Sequence, residues 1–299
     1  MRDRVSLDQI RTFIVAAEEG SFSAAARKLG RAQSAVSDLV RRLEDELGVG
    51  LFDRSGRAPR LTSAGKLLLR DARAVGGAVD FLNFRAKGLS EGIEPELCAV
   101  IDVYFPFQAI TEAAKEFRLR FPATPLRIYV EVLGASTEPV LDGRASFAVV
   151  GGPTPLPPGL SAESLAGVAV IMVAAPDHPL AALKGVIPQS ELAKHIQLVL
   201  TERASRSTEL EYSVMSPTTW RLADLYAKHS FLLNGIGWGS MPLHAVERDL
   251  AEGRLVRLVT PEIPSAGLIA PMTAVYRTAA PPGPAGRWLI ERLKSCPSV

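Results

Sequence analysis

Apolar residues recur at helical spacing in three consecutive stretches near the start of the chain. The first stretch predicts a helix that begins at Leu7 and ends at the cap residue Gly20. The second stretch, SFSAAARKLG, predicts a short helix with Ser21 or Ser23 as its N-terminal cap and Gly30 as its stop. A tight turn must follow this second helix before the third stretch begins.

The third stretch predicts a longer helix, from about Gln33 to Leu47, that has two different faces. The face expected to be buried is apolar and contains Val36, Leu39 or Val40, Leu43 and Leu47. The other face carries short polar side chains and one arginine, namely Ser34, Ser37, Asp38 and Arg41. The major groove of DNA, about 12 Å wide, accepts a helix best when the side chains near its N-terminus are small and form hydrogen bonds. The third helix therefore fits the recognition position of a helix-turn-helix.

The segment after the third helix, GVGLFDRSGRAPRLTSAG, predicts two short strands, LFDR and RLT, around the turn SGRAP. This hairpin carries Arg54, Arg57 and Arg60. A basic hairpin beside a recognition helix is well placed to contact phosphates or the minor groove. We therefore expect residues 1–62 to form a winged helix-turn-helix domain.

A long helix is predicted after the hairpin, from Ser63 to about Lys87, with Thr62 or Ser63 as its cap. Its apolar residues follow alternating spacings of four and three, which is a heptad seam: Leu68, Ala72, Val75, Val79, Leu82, Ala86 and Leu89. A seam requires a partner helix. Residues 63–91 are therefore expected to be a dimerisation linker, and the protein is expected to be a homodimer or a homotetramer.

Beyond residue 92, apolar strands alternate with helices, which indicates an α/β domain with a largely parallel sheet. The first lobe is predicted to contain strands at 97–104, 126–133 and 146–150, and helices at about 107–120 and 136–142. The second lobe is predicted to contain GVAVIMVAA, IQLVL, a helix from Ala223 to Asn234, and IGWGSMP. A strand at 268–277 and a helix at about 284–295 return to the first lobe. The expected bounds are 92–152 with 266–299 for lobe I and 160–262 for lobe II, with crossings near 151–159 and 262–267.

The charge of the chain is unevenly distributed along its length. Residues 1–90 contain 16 Lys and Arg against 11 Asp and Glu, a net charge of +5, whereas residues 91–299 have a net charge of −3. A basic segment joined to a mildly acidic body is expected when only the first part meets a polyanion. With 47% hydrophobic and 22% charged residues, the composition is that of a globular protein.

Several classes of function find no support in the sequence. The N-terminus MRDRVSLDQI carries acidic residues where a signal peptide has its apolar stretch, so we expect a cytoplasmic location and no membrane partner. The four histidines are scattered, and no Ser, His and Asp constellation or phosphate-binding glycine loop is visible. Cys98 and Cys296 are expected to be reduced thiols, with redox sensing as a minor alternative. We therefore expect no metal, no cofactor and no enzymatic activity.

The motifs LDQIRTF, EEGSFSAAARKLG, AQSAVS, LEDELGVGLFDR and RLTSAG follow one another from residue 7 to about 66. In sequence and separation they closely resemble the head of the LysR-type transcriptional regulators. The resemblance implies a multidomain fold: an all-α winged helix-turn-helix head, a long linker helix, and a two-lobed α/β effector-binding domain that resembles periplasmic binding proteins. It further implies that four residues face the bases, namely Gln33, Ser34, Ser37 and Asp38. Four arginines are implied to face phosphates or the minor groove, namely Arg31, Arg41, Arg54 and Arg57.

Two residues of the head depart from the family pattern. Ala32 stands where the family usually has Thr or Ser as the cap of the recognition helix, so this helix start is either weaker or capped through Ser34. Asp38 is an acid on a face otherwise suited to DNA. It can accept a hydrogen bond from cytosine N4, repel a phosphate, or pair with Arg41 or Arg42.

A ligand site is expected between the two lobes, because ligands of parallel sheets bind at the carboxyl ends of the strands. The second half resembles the family's effector domain in its layout and in the motif IGWGSMP, although more loosely than the head does. Five of the expected contacts are aromatic and would suit a planar or apolar small molecule that has a few polar groups, namely Tyr104, Phe105, Phe107, Trp220 and Trp238. The expected effector contacts are Tyr104, Phe105, Phe107, Gln108, Gly134, Ala135, Ser136, Thr201, Trp220, Gly237 and Trp238.

Taken together, the sequence predicts a transcription factor that binds double-stranded promoter DNA and responds to a small-molecule effector. RNA polymerase is a further candidate partner. Two alternatives remain open, a cytoplasmic solute-binding protein and a small-molecule enzyme with a fused helical head. Turnover of the ligand would distinguish the enzyme from a protein that only binds.

Overall fold

A computed structural model describes residues 5–56, 58–132, 137–152, 156–201 and 214–295 of the chain. The chain divides into two compact units, residues 1–88 and residues 89–299. None of the helices in these described ranges combines the length and the apolar character that a membrane crossing requires.

The N-terminal unit begins with three helices at the predicted positions: α1 (Leu7–Glu19), α2 (Phe22–Leu29) and α3 (Gln33–Leu47). Ser6 and Gln9 form a capping box at the start of α1, and Ser21 caps α2 by accepting a hydrogen bond from the Ala24 amide. Gly20 and Gly30 end their helices with a φ of 63°, which a glycine adopts without strain. Both predicted stops are therefore confirmed, and Ser21 rather than Ser23 is the cap of α2.

The predicted hairpin is present as β1 (Phe52–Asp53) and β2 (Arg60–Leu61), which pair antiparallel. Helix α4 (Ser63–Ser90) follows directly. Its cap is the Thr62 hydroxyl, which accepts a hydrogen bond of 2.9 Å from the Gly65 amide. Gly65 lies against the hairpin so closely that an added Cβ would be 2.1 Å from the Leu51 carbonyl oxygen.

One apolar core holds these elements together. It is built around Phe13 on α1, Val36 and Val40 on α3, and Phe52 on β1, all of which are nearly inaccessible to solvent. The rings of Phe13 and Phe52 meet edge to face with 5.8 Å between their centroids. This core is small, and it fixes the relative positions of α3 and the hairpin.

The C-terminal unit contains a nine-stranded mixed sheet. Its strands are β3 (Leu97–Asp102), β4 (Leu126–Glu131), β5 (Phe147–Gly151), β6 (Leu160–Ala174), β7 (Gln197–Leu200), β8 (Thr219–Leu222), β9 (Trp238–Pro242), β10 (Val256–Leu258) and β11 (Leu268–Arg277). The order is β4-β3-β5-β11-β6-β9-β7-β8, and β10 pairs with β6. Strands β3, β4 and β5 are parallel in one lobe, and β7, β8 and β9 are parallel in the other. The expected parallel pattern therefore holds within each lobe, whereas β6 and β11 run antiparallel to their neighbours.

Helices cover this sheet. They are α5 (Phe107–Arg120), α6 (Glu138–Leu141), α7 (Gln189–Leu192), α8 (Leu225–Leu233), α9 (Leu243–Ala251) and α10 (Pro284–Lys294), with a 3-10 turn at Pro179–Ala182. The core of the first lobe includes Phe117 on α5 and Leu289 on α10. The core of the second lobe lies on both faces of its sheet.

The lobes are joined by paired strands. The first part of β6 pairs with β11, and its last five residues pair with β9, so a single strand passes from one lobe to the other. A register shift between Ala270 and Met272 marks the place where β11 makes the same passage. The crossings were expected in the loops near 151–159 and 262–267. In the structure β6 and β11 themselves run from one lobe to the other, and β6 pairs first with β11 and then with β9.

Candidate functional site

The N-terminal end of α3 presents small polar groups to solvent. Ser34 is exposed and Ser37 is partly exposed, one turn apart on the same face. The residue before the helix, Ala32, has an extended backbone and makes no side-chain capping hydrogen bond. Ala32 therefore caps none of the backbone amides in the first turn of α3. A phosphate or a base can accept hydrogen bonds from these amides.

Asp38 on the same face forms an ion pair with Arg41, with 2.5 Å between a carboxylate oxygen and a guanidinium nitrogen. The two residues are three apart, which places them side by side on the helix surface. The structure therefore shows the pairing within the helix that was one of the open roles of Asp38. Both side chains are more than half exposed, so the pair can open when DNA binds.

Two further predicted DNA contacts are held by neighbours in the head. Arg31 forms an ion pair of 2.8 Å with Asp8, and the Ser23 hydroxyl donates to the Gln33 side-chain carbonyl at 2.9 Å. Asp8 also raises the pKa of Arg31 through a hydrogen bond to its carboxylate. These contacts fix the direction in which Arg31 and Gln33 extend from the surface.

Arg54 on the hairpin is oriented by Glu44 of α3. A Glu44 carboxylate oxygen lies 2.8 Å from the Arg54 guanidinium, which also stacks over the Phe22 ring. The other Glu44 oxygen accepts hydrogen bonds from the Leu51 and Phe52 amides. Glu44 therefore ties the hairpin to the recognition helix, a positioning role that the sequence analysis did not predict. The remaining hairpin prediction, Arg57, lies outside the described residues.

Two basic side chains of the head were not named as individual DNA contacts, although Arg60 belongs to the hairpin that was expected to reach DNA. Arg42 on α3 and Arg60 on β2 are exposed, and each lacks an ion-pair partner in the described part of the chain. Their position in a run of basic residues was visible in the sequence, but nothing there distinguished them from Arg41 and Arg54. Both are therefore available for contacts with phosphates.

The last three turns of α4 expose large apolar side chains. Phe81, Leu82 and Phe84 are each about half exposed or more, and Leu89 continues the row. Earlier members of the predicted seam, Leu68 among them, pack against the head core instead. Exposed apolar side chains of this size on one helix indicate an interaction surface.

A cavity of about 360 Å³ lies between the two lobes of the C-terminal unit. One side is formed by the carboxyl end of β3 and the residues that follow it, 102–104, together with Gly151 and Gly152. The other side is formed by β7 and by Ser240 on β9, and residues 268–272 of β11 lie between them. A molecule in this cavity would therefore touch both lobes and one of the strands that join them.

Of the predicted effector contacts that the structure describes, only Tyr104 lines this cavity. Phe105, Phe107 and Gln108 instead line a second cavity, of about 790 Å³, between the start of α5 and the elements α8 and α9. The two groups separate because the chain turns at Phe105 and α5 begins two residues later. Gly134, Ala135 and Ser136 lie outside the described residues.

Four predicted contacts line neither cavity. Trp238 is completely buried in the core of the second lobe, and Gly237 is so close to β7 that an added Cβ would be 2.4 Å from the Ile196 carbonyl oxygen. Trp220 is 46% exposed and packs against Phe231, and the Thr201 amide donates to the Leu222 carbonyl. That these four residues contact a ligand stays a prediction, and the contacts they make here lie within the second lobe. They follow a strand in sequence, but their side chains or backbones are used in holding the second lobe together.

A buried polar cluster at the cavity was missed by the sequence analysis. The Ser240 hydroxyl accepts a hydrogen bond of 3.3 Å from the Lys228 ammonium and lies 3.4 Å from the Tyr104 hydroxyl. Burial lowers the pKa of Lys228 to about 7 and raises the pKa of Tyr104 to about 12. Asp102, also buried, accepts a hydrogen bond from the Tyr104 amide at 2.8 Å. The available signal was the position of Lys228 within the largely apolar helix segment LYAKHSFLL.

No group of three or more His, Cys, Asp and Glu side chains suited to a metal ion occurs within the described ranges. Cys98 is a buried free thiol whose pKa is raised by burial. The other cysteine, Cys296, lies outside the described residues.

Comparison with known proteins identifies both units. Residues 7–66 match the family model described as the bacterial regulatory helix-turn-helix protein of the lysR family, and residues 90–296 match the LysR substrate binding domain. The probable HTH-type transcriptional regulator YhaJ of Escherichia coli K12 is 31% identical over 267 residues, which covers 86% of this chain and 87% of that protein. The HTH-type transcriptional activator AllS of Klebsiella pneumoniae is 29% identical over 260 residues, or 83% of this chain and 93% of that one.

A solved structure shares the fold. The Corynebacterium glutamicum OxyR C206 mutant superimposes with a TM-score of 0.55 at 23% identity, over 98% of this chain and 93% of that one. The relatives found by sequence are transcriptional regulators. Together with the helix-turn-helix and the interlobe cavity, these matches establish that the chain belongs to the LysR family and is a DNA-binding transcriptional regulator with an effector-binding domain.

Proposed function

We propose that this regulator binds promoter DNA as a homodimer or homotetramer, and that a small molecule in the interlobe cavity controls how it binds. The observation that best supports control by a small molecule is that the cavity is lined by both lobes and by β11. A molecule bound there interacts differently with open and closed arrangements of the lobes, and this difference in binding free energy shifts the equilibrium between them. Coupling of this kind is typically about 1–3 kcal/mol.

On the DNA side, α3 enters the major groove with Ser34 and Ser37 toward the bases. Arg42 and Arg60 supply charge for phosphates, because both are exposed and neither forms an ion pair in the described part of the head, although Asp53 lies opposite Arg60 in the hairpin. Arg54 reaches DNA from a direction fixed by Glu44. The exposed apolar residues of α4 supply the contact between two copies, which sets the distance between two recognition helices.

The test is a footprinting assay on fragments of a bacterial genome with the purified full-length protein, at stated salt and with a panel of small metabolites. We expect at least one promoter region to be protected, and one metabolite to change the protected pattern. The same metabolite should be recovered unchanged after incubation, because the role is binding and not turnover. If no fragment bound above the non-specific level, the assignment of α3 would be refuted. A footprint that no metabolite altered would count against control through the cavity.

A further inference from the structure

Lys228 is an unusual residue for its place in the fold. It lies in the middle of α8, and only 1% of its surface is accessible to solvent. Its side chain passes along β9 at Gly239, where an added Cβ would be 3.3 Å from the lysine Cε. A lysine normally reaches the surface with its ammonium group, and one that does not needs a partner for its charge.

The second lobe does not provide that partner. Throughout the described part of the chain, Lys228 forms no ion pair, and its one side-chain hydrogen bond is the 3.3 Å contact with Ser240. Asp249, the buried acid that α9 contributes to this lobe, is already engaged by His229 at 2.8 Å and by Arg254 at 2.6 Å. An ammonium buried without a counter-charge destabilises the fold, so a role in binding explains why the group is there.

The cavity is the side from which a counter-charge can come. Ser240, the hydrogen-bond acceptor of Lys228, lines the interlobe cavity, and so does Tyr104, whose hydroxyl lies 3.4 Å from the serine oxygen. The two hydroxyl groups come from opposite lobes, because Tyr104 follows β3 and Ser240 lies on β9. Apart from these two hydroxyl groups and the side chains of Asp102 and Gln197, the side chains that line the cavity are apolar, as at Val170, Leu198 and Met272.

We propose that the interlobe cavity takes an apolar carboxylic acid whose single carboxylate group is bound by Ser240 and Tyr104 and has its charge balanced by Lys228, which is hydrogen-bonded to Ser240. The assignment rests on the proposed effector role of this cavity and adds the chemical class of the effector. A carboxylate accepts from the two hydroxyl groups and provides the missing charge for the ammonium. A phosphate, with its greater charge, is disfavoured because Lys228 is the one cation of the cluster and Asp102 places a carboxylate on the same wall.

The test compares two molecules of nearly the same shape that differ in charge, 4-bromobenzoate and 4-bromobenzamide. Their affinities for the full-length protein are measured by isothermal titration calorimetry. We expect the acid to bind at least tenfold more tightly than the amide. Crystals soaked in the acid should show the anomalous signal of bromine inside the cavity, with the carboxylate toward Ser240. The pair octanoate and octanamide repeats the comparison with a flexible chain.

Three variants assign the effect to the cluster. Lys228→Met keeps the length of the side chain and removes its charge, and should lower the affinity for the acid at least tenfold without changing the affinity for the amide. Ser240→Ala should lower it by a smaller factor. Lys194→Met is the matched control, because Lys194 is a lysine of the same lobe whose side chain is 61% exposed, and it should bind both molecules like the wild type. Tryptophan fluorescence confirms that each variant is folded.

The proposal is overturned if acids and amides bind equally, if neither acid binds, or if Lys228→Met retains the preference for the acid. Bromine located outside the cavity overturns it too. Failure of the proposed function looks different. In that case acid-specific binding would persist and depend on Lys228, but no acid would alter the footprint on DNA.

Discussion

Replacing Lys228 by methionine should make the protein more stable near neutral pH. Burial lowers the pKa of this lysine to about 7, from 10.5 when it is freely solvated. Between these two pH values the unfolded chain holds a proton that the folded chain has released. Stability therefore rises with pH over this window in the wild type, because folding there no longer requires a buried ammonium group.

The size of the effect follows from this difference in pKa. From pH 7 to pH 9, the free energy of unfolding should increase by about 2 kcal/mol as the folded state loses its buried charge. Lys228→Met has no such group, so its free energy of unfolding should change much less over the same range. His178 and His244 have pKa values lowered by burial, so they are neutral throughout this range in the folded protein and in the variant alike.

Urea unfolding followed by tryptophan fluorescence measures this contribution in the full-length protein. The three tryptophans are Trp220, Trp238 and Trp288, so the signal reports the C-terminal unit alone. Lys194→Met serves as the control and should follow the wild type at each pH. If Lys228→Met gained stability between pH 7 and 9 as strongly as the wild type, the buried ammonium group could not be the cause, and the account of Lys228 given above would fail.

Three further predictions concern the head. The double substitution Ser34→Glu and Ser37→Glu should abolish specific DNA binding without changing the circular dichroism spectrum, because two negative charges would face the groove; operator binding at wild-type strength would refute the assignment of this face. Asp38→Asn should strengthen DNA binding and make the salt dependence steeper by about one counterion, because it frees Arg41 for a phosphate; an unchanged salt slope would show that the pair stays closed on DNA. Gly65→Ala should destabilise the head by about 3 kcal/mol, because the new Cβ would lie 2.1 Å from the Leu51 carbonyl oxygen. Gly77→Ala should stabilise α4 slightly, because its new Cβ meets nothing within 4 Å. Thermal unfolding compares the two variants, and equal melting temperatures would contradict the role of Gly65.

The sequence by itself determined the head almost completely. Helices α1 and α3 begin and end where the apolar spacing predicts, α1 and α2 end at their predicted glycine stops, and the hairpin follows at the predicted place. The reason is that these elements are specified by neighbours in sequence: caps, stops and one amphipathic face each. The family resemblance is densest here for the same reason, since the motifs are short and continuous.

Only the tertiary structure decided where the interlobe cavity lies and which residues line it. Trp238 and Trp220 lie near strand ends, where ligand contacts are expected. However, Trp238 is part of the core, and Trp220 packs against Phe231 on α8. The rule locates a region of the backbone and does not specify the direction of a side chain. Lys228 and Ser240 are twelve residues apart and Tyr104 is more than a hundred residues away from both. They meet because β6 and β11 carry the chain from lobe to lobe inside a single sheet, a pairing between distant segments that no local pattern in the sequence specifies.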